Sequence, residues 1–414
     1  MTPGFFHSRW VAMPDHVTEL DGGLPQGFRA AGAAAGLKRD GALDVGLLVS
    51  DAAATTSAAR FTRSGVVAAP VQLCRERCDL AHLRVLAVNA GNANAATGAR
   101  GFESAGATQI AASRLTGVDP GGVAVGSTGV IGVQLPVDRV LGGLEAARER
   151  LRADGDADFA AAIQTTDAFA KRAALQVALP SGTVRLSAQC KGAGMISPSF
   201  ATMLCFVQTD AALDSETADL LLGVTVKRSF DRISVDGQLS TNDTAILMCS
   251  GASGVEVKPE SPDELALGEA LDALLRQLAL LIVKDGEGSK RVGRVVVRGG
   301  DHETVERAAR AIANSPLVKT ALHGGDPNWG RIAQAVGGAL LDLPVDLDIA
   351  IEGVPVCERG AERQHDEAAL AAAVTAEEVE YLICLNDGEP SAETEVFFSD
   401  LSHEYVTINA DYRT

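Results

Sequence analysis

Long apolar runs are missing from this sequence: its longest apolar patch, Leu278 to Val283, stops at Lys284 and Asp285, far short of a bilayer span. Positive charge is in deficit, with 36 Lys and Arg against 54 Asp and Glu in 414 residues and a formal charge of -18. Such a field repels phosphate backbones and anionic membrane surfaces, so nucleic acid and membranes are poor partners. It repels small anionic substrates too, so a carboxylate-binding site needs its own cations or backbone N–H groups. Cysteine is sparse: the 7 residues (Cys74, Cys78, Cys190, Cys205, Cys249, Cys357, Cys384) are odd in number and mostly set in apolar sequence. This pattern reads as buried free thiols in a reducing compartment. Cys74 and Cys78 stand one helical turn apart, but no second cysteine pair matches them and the histidines are scattered, which argues against a zinc site. Met1 to Asp15 lacks a basic start, an apolar stretch and a cleavage site, so a cytoplasmic location is expected.

Several familiar chemistries are absent as well. Lys284-Asp285-Gly286-Glu287-Gly288-Ser289-Lys290 lacks the P-loop spacing. No Gly-x-Ser-x-Gly elbow, His-Glu-x-x-His pair or Gly-x-Gly-x-x-Gly between strand and helix occurs. No repeat and no low-complexity linker divides the chain.

What is present is a globular composition, 46% hydrophobic and 22% charged, long enough for two or three domains. Leu83 to Val88, Val184 to Ala188, Arg294 to Val297 and Leu347 to Ile351 read as strands, several with partial period-two alternation. Ser261 caps the clearest helix, with Pro262 in the first turn, Glu264 closing a capping box, and Leu267, Leu271, Leu274, Leu275 and Leu278 on one face. Leu141 to Arg152 and His302 to Ala313 read as two more, the first with Arg148 and Arg152 on a solvated face. Alternating strands and helices imply an α/β fold of layered sheets flanked by helices. Gly-rich turns fall at Gly91 to Gly98, Gly121 to Gly132, Gly192 to Gly194 and Gly324 to Gly330, where function is expected to lie.

Two of these regions have chemical potential. Lys191 to Leu204 joins a cation, a glycine pair and a proline-bounded turn to Thr202, a hydroxyl between apolar neighbours. It is either a strand Thr bonded to a carbonyl or a nucleophile. Gly126 to Gly132 is either a tight turn or a set of backbone N–H groups that a ligand can approach closely. Asn242 and Asp243 either polarise a site or bond a turn. Glu287, between glycines, is a solvated loop carboxylate or an ammonium ligand. Trp329 reads as core or subunit packing.

Together, ten ordered motifs resemble the ornithine acetyltransferase (glutamate N-acetyltransferase) family over nearly the whole chain. They are Val88 to Ala95, Ser127 to Gly132, Thr165-Thr166-Asp167, Lys191 to Ile196, Ala201-Thr202-Met203-Leu204, Phe230-Asp231-Arg232, Ser240 to Thr244, Asp285 to Gly288, Asp326 to Arg331 and Ile408 to Thr414. Ala90 and Ala96 depart from the residues that family usually carries there, and Phe61 to Ser64 and Leu73 to Glu76 are equally similar to specialised-metabolite paralogues. The resemblance implies a DmpA-like fold made of two self-cleavage fragments, an α chain 1–201 and a β chain 202–414 beginning with the nucleophile Thr202. Cleavage lies between Ala201 and Thr202, and the freed α-amine, of unperturbed pKa roughly 8, serves as general base. It further implies acetyl transfer from N2-acetylornithine to glutamate through an acyl-Thr intermediate, with acetyl-CoA a possible second donor. Thr128 and Gly129 would stabilise the oxyanion, and Thr165, Thr166, Lys191, Thr202, Glu287, Asn409 and Thr414 would bind substrate. No cofactor or metal is implied, and the expected partners are the chain's own fragments as an α2β2 assembly. The competing readings are a self-processing amidohydrolase or deacetylase and an unprocessed binding protein.

Overall fold

A computed structural model of the protein describes residues 4–197, 203–341, 343, 346–385 and 392–411, with Asp40 by its backbone alone. Three sheets organise it. The first has six strands, in the order Val17–Leu20, Lys171–Leu179, Gly182–Lys191, Leu204–Thr209, Thr244–Cys249 and Thr56–Phe61. The second has four: Phe28–Ala33, Val45–Ser50, Val85–Asn92 and Val123–Val130. Alternation along the central strands decides the layering. Leu204, Phe206, Ile246 and Met248 join the core shared with the four-stranded sheet. Their neighbours Cys205, Val207, Ala245, Leu247 and Cys249 join the core beneath helices Ser215–Arg228 and Pro262–Lys284. A period of two thus sends successive side chains to opposite faces of a sheet buried on both. Helices Ala69–Arg77, Gly98–Thr116 and Val137–Arg148 cover the outer side of the four-stranded sheet, making helix, sheet, sheet, helix.

The third sheet has seven strands, in the order Ile233–Ser234, Glu393–Ser399, Val292–Arg298, Glu378–Leu385, Leu347–Ile351, Val354–Glu358 and Ala361–Glu362. It has a separate core with helices His302–Asn314, Pro316–Gly324 and Trp329–Ala339, and Trp329 packs against it half-buried. The long helix Pro262–Lys284 joins the two bodies. Its capping box forms as the sequence predicts, Glu264 N–H donating to Ser261 Oγ at 3.2 Å. Its last two turns are buried on every side, and its end delivers Asp285 and Glu287 to the junction between the bodies.

Two sequence expectations shift. The helix read at Leu141 to Arg152 runs Val137–Arg148. Past it, Arg152 leaves the helix to exchange backbone hydrogen bonds with Ala30 and to reach Asp154 and Asp158. Of the glycine-rich turns, Gly121 to Gly132 is largely strand, Val123–Val130, whereas Gly91 to Gly98 leaves its strand after Asn92 and runs as a loop to the helix at Gly98. The seven cysteines are free thiols, five of them buried and Cys78 and Cys384 half-buried. No helix among the described residues is long and apolar enough to cross a membrane.

Candidate active site

Strands Val85–Asn92 and Val123–Val130 run parallel, and their register slips at Gly91 and Asn92, where the ladder meets Thr128 to Val130. At Gly129 φ is 128°, and a Cβ there would stand 2.4 Å from the Gly91 carbonyl carbon and 2.6 Å from the Asn92 nitrogen. Only glycine fits, and the close approach turns Thr128 and Gly129 into a pocket of about 200 Å³. Thr165, Thr166, Lys191, Gly194, Asn242, Glu287, Tyr405 and Asn409 line the same pocket. Residues far apart in sequence, from both sandwich sheets, the turn after the long helix and the last helix, therefore meet at one place. Ala201, Thr202 and Thr414 lie outside the described residues.

Part of the pocket lining rests on buried charge. Lys171 Nζ donates to Asp167 Oδ1 at 2.8 Å and to Asp285 Oδ2 at 2.5 Å. Lys191 Nζ lies 4.0 Å from Asp167 Oδ2 and donates to Thr128 Oγ1 at 3.3 Å. Asp167 also accepts the Thr165 N–H at 3.0 Å and the Gly192 N–H at 2.8 Å, tying the Thr165-Thr166 loop to the strand end that carries Lys191. Burial alone would raise the Asp167 carboxyl, but the charges of Lys191 and Lys171 outweigh it and hold it well below the usual carboxylate range. Lys191 moves the other way. Burial lowers its ammonium, and Asp167 only partly opposes that, because Asp167 is shared with Lys171. A substrate carboxylate here would supply the anion that Lys191 lacks.

Glu287, also in the pocket lining, is buried, and Asn409 Nδ2 donates to its Oε2 at 2.7 Å. Gly194 faces it so closely that a Cβ would come within 2.7 Å of the Glu287 carboxyl carbon. Asp236 stands nearby and clamps the intervening loop, accepting the N–H groups of Met195 at 2.6 Å and Ile196 at 2.9 Å. Asn242 bridges the walls: its Nδ2 donates to Ala93 O at 2.6 Å and Ser127 O at 2.9 Å, so this residue both lines the pocket and bonds a turn. Among the described residues no group of three or more His, Cys, Asp or Glu is placed to hold a metal ion.

Sequence reading had not assigned Lys171, Asp236, Gln238 or Tyr405 to the site. The one signal for Lys171 is its spacing, four residues after Asp167; Asp236 precedes a glycine and looks like any turn aspartate. The lining combines a cation and hydroxyl-bearing groups with a carboxylate, suited to a ligand with both an anionic and an ammonium group.

Comparison with known proteins gives consistent matches. The ArgJ family model matches residues 29–414. The arginine biosynthesis bifunctional protein ArgJ of Symbiobacterium thermophilum is 41% identical over 403 residues, covering 95% of this chain and 99% of its own. The protein of that name from Chlorobium chlorochromatii is 43% identical over 396 residues, covering 94% of this chain and 91% of its own. Among solved structures, the arginine biosynthesis bifunctional protein of Bacillus halodurans is 34% identical with a TM-score of 0.47, spanning 50% of this chain and 98% of its own. The ornithine acetyltransferase of Mycobacterium tuberculosis complexed with ornithine is 35% identical with a TM-score of 0.40, spanning 45% and 100%.

Proposed function

Because the chain belongs to the ArgJ family of arginine biosynthesis, we propose that it is a self-processed acetyltransferase that moves acetyl from N2-acetylornithine to glutamate through an ester on Thr202. Acetyl-CoA would be a second donor, as the bifunctional name of the relatives suggests. No cofactor takes part. The observation that carries the reading is the lining of the pocket, which gathers Thr128, Gly129 and the Lys191 cation with the Glu287 carboxylate, itself held by Asn409, around one cavity.

Cleavage between Ala201 and Thr202 yields the α chain 1–201 and the β chain 202–414, and gives Thr202 a free α-amine. That amine takes the hydroxyl proton as Thr202 Oγ attacks the acetyl carbonyl of acetylornithine. The oxyanion that forms is stabilised by the Thr128 hydroxyl and the Gly129 N–H; one such donor typically contributes about 3 kcal/mol in the transition state. Lys191 holds the α-carboxylate, Thr165 and Thr166 flank it, and Glu287 receives the δ-ammonium of ornithine. Ornithine leaves, and the α-amine of glutamate takes the acetyl group from Thr202 in the reverse of the first step. Thr414 completes the substrate contacts, two α and two β chains assemble, and the enzyme works in the cytoplasm.

The mass of the purified protein under denaturing conditions tests the first step, on a chain without a C-terminal tag. Two fragments meeting at Ala201 and Thr202, with Thr202→Ala intact and inactive, are expected. A wild-type chain that stays at 42.8 kDa would refute self-activation. Acetyl transfer that ignores glutamate, releasing acetate instead, would make the protein a deacetylase.

A further inference from the structure

The parallel ladder between Leu204–Thr209 and Thr244–Cys249 continues one step beyond the strands, Thr244 N–H donating to Met203 O at 3.1 Å. At that step Asp243 turns its carboxyl toward the neighbouring chain, and its Oδ1 accepts the Met203 N–H at 3.0 Å. Met203 is joined covalently to Thr202. Asp243 is fully buried, yet its Oδ2 has no hydrogen-bond partner among the described residues. The nearby Thr62 hydroxyl is committed to the Ser240 carbonyl at 2.6 Å. A buried carboxyl oxygen left without a partner is costly unless it has a task. Burial pushes the Asp243 carboxyl well above the usual range, against the opposing pull of the Met203 N–H, the neighbouring Ser240 and Thr62 hydroxyls and the Lys191 charge, which favours the protonated form.

We infer that Asp243 is the general acid of chain cleavage, donating a proton from Oδ2 to the departing nitrogen of Thr202. This rests on the self-processing proposed above. Breaking a peptide bond by an N-to-O shift expels an amine, and an amide nitrogen leaves only when it is protonated. Thr202 Oγ bonds to the Ala201 carbonyl carbon, and the Oδ2 proton passes to nitrogen as the C–N bond breaks. The carboxylate so formed takes up the proton that the hydroxyl loses. The products are the Ala201–Thr202 ester, a free amine and a carboxyl restored to its starting state. Water then adds to the ester and releases the Ala201 carboxyl and the Thr202 hydroxyl.

Asp243→Asn separates this chemistry from scaffolding. The amide has the shape of the protonated acid, is likewise neutral, and still accepts the Met203 N–H, but it has no acid proton to give. Full-length wild type, Asp243→Asn and Asp243→Glu chains made by cell-free synthesis are quenched at intervals and the cut fraction is read by mass. Asp243→Asn is expected to cut at least about 100-fold more slowly while melting at the wild-type temperature. Asp243→Glu, which keeps the acid, is expected to cut faster than Asp243→Asn. An Asn chain that cuts at the wild-type rate overturns the inference, and so does a Glu chain no faster than Asn, which decides the matter if the Asn chain folds poorly. A wild-type chain that never cuts refutes the self-processing reading instead, so the two failures are distinct.

Discussion

Lys171, in the sandwich beside the pocket, and Lys319, in the helix Pro316–Gly324 on the third sheet, are both buried, but they answer burial in opposite ways. Lys171 reaches two carboxylates, Asp167 and Asp285, whose charges outweigh its burial and raise its pKa. Lys319 donates to the Ser399 carbonyl and, at 3.2 Å, the Ser399 hydroxyl, and lies 5.6 Å from the centre of the Phe398 ring. Burial lowers it to about 7, the more distant charges of Asp236 and Asp400 failing to offset the loss of water. The difference teaches what the pocket requires. Beside Lys191 the cation of Lys171 is fixed by two aspartates, Asp167 and Asp285, while the third sheet holds its lysine by hydrogen bonds that suit the neutral amine as well.

Removing a partner from the first cluster has the largest expected effect. Lys171→Met leaves Asp167 and Asp285 buried without their shared cation, a change that typically costs about 3–5 kcal/mol. A large drop in the urea midpoint is expected, with loss of activity because Asp167 no longer fixes the Thr165 loop and Gly192. A midpoint within about 0.5 kcal/mol of wild type would show that the cluster is not the foundation described above.

Lys319→Met is expected to do less, and to do it through pH. A lysine whose folded pKa lies below the ordinary 10.5 binds fewer protons folded than unfolded between about 7 and that value. Wild-type stability therefore rises with pH over this window, by up to about 1.4 kcal/mol per unit, and the burial penalty is fully present below it. Urea titrations at neutral and alkaline pH should show this rise in wild type and a flatter profile in Lys319→Met. Equal slopes in the two proteins would mean that Lys319 stays charged when folded.

How much of this was legible in the sequence follows from the range of the forces involved. The helix cap at Ser261 and the strand Leu347–Ile351 were readable because cap chemistry and alternation are local. Thr128, Gly129, Thr165, Thr166, Lys191, Glu287 and Asn409 were named from motifs, and the fold brings all seven to one pocket. The supports of that pocket were not legible. Lys171 opens a strand beside a second cation, Arg172, and its partner Asp285 comes from the end of a helix more than a hundred residues later, so nothing local marks the pair. Asp243 escaped a definite assignment for the same reason: a turn aspartate and a buried acid look alike until the ladder places Met203 against one of them. Gly126 to Gly132 looks like a turn in sequence but is strand as far as Val130, because Gly129 serves contact with Gly91 and Asn92, a tertiary cause.

The pocket's carboxylate offers a finer comparison with its cation. Glu287→Gln keeps the shape and an acceptor for Asn409 but removes the charge that would bind an ammonium. The KM for N2-acetylornithine is expected to rise roughly 10- to 100-fold, the worth of a charge-assisted hydrogen bond. An unchanged KM would place the amine elsewhere.

Asn409→Ala should act through Glu287 and give the smallest change. Asn409 lies in the last helix, His403–Asp411, none of whose residues is buried, so truncation there leaves no cavity in a core. Its Nδ2 donates to Glu287 Oε2 at 2.7 Å and to Tyr405 O at 3.0 Å, orienting the carboxylate while leaving its charge intact. One such bond is worth about 1 kcal/mol, so KM should rise several-fold with kcat and the urea midpoint unchanged. In the double variant with Glu287→Gln the two effects should fall short of additive, because one residue works through the other. Full additivity would mean that Asn409 meets the substrate independently of Glu287.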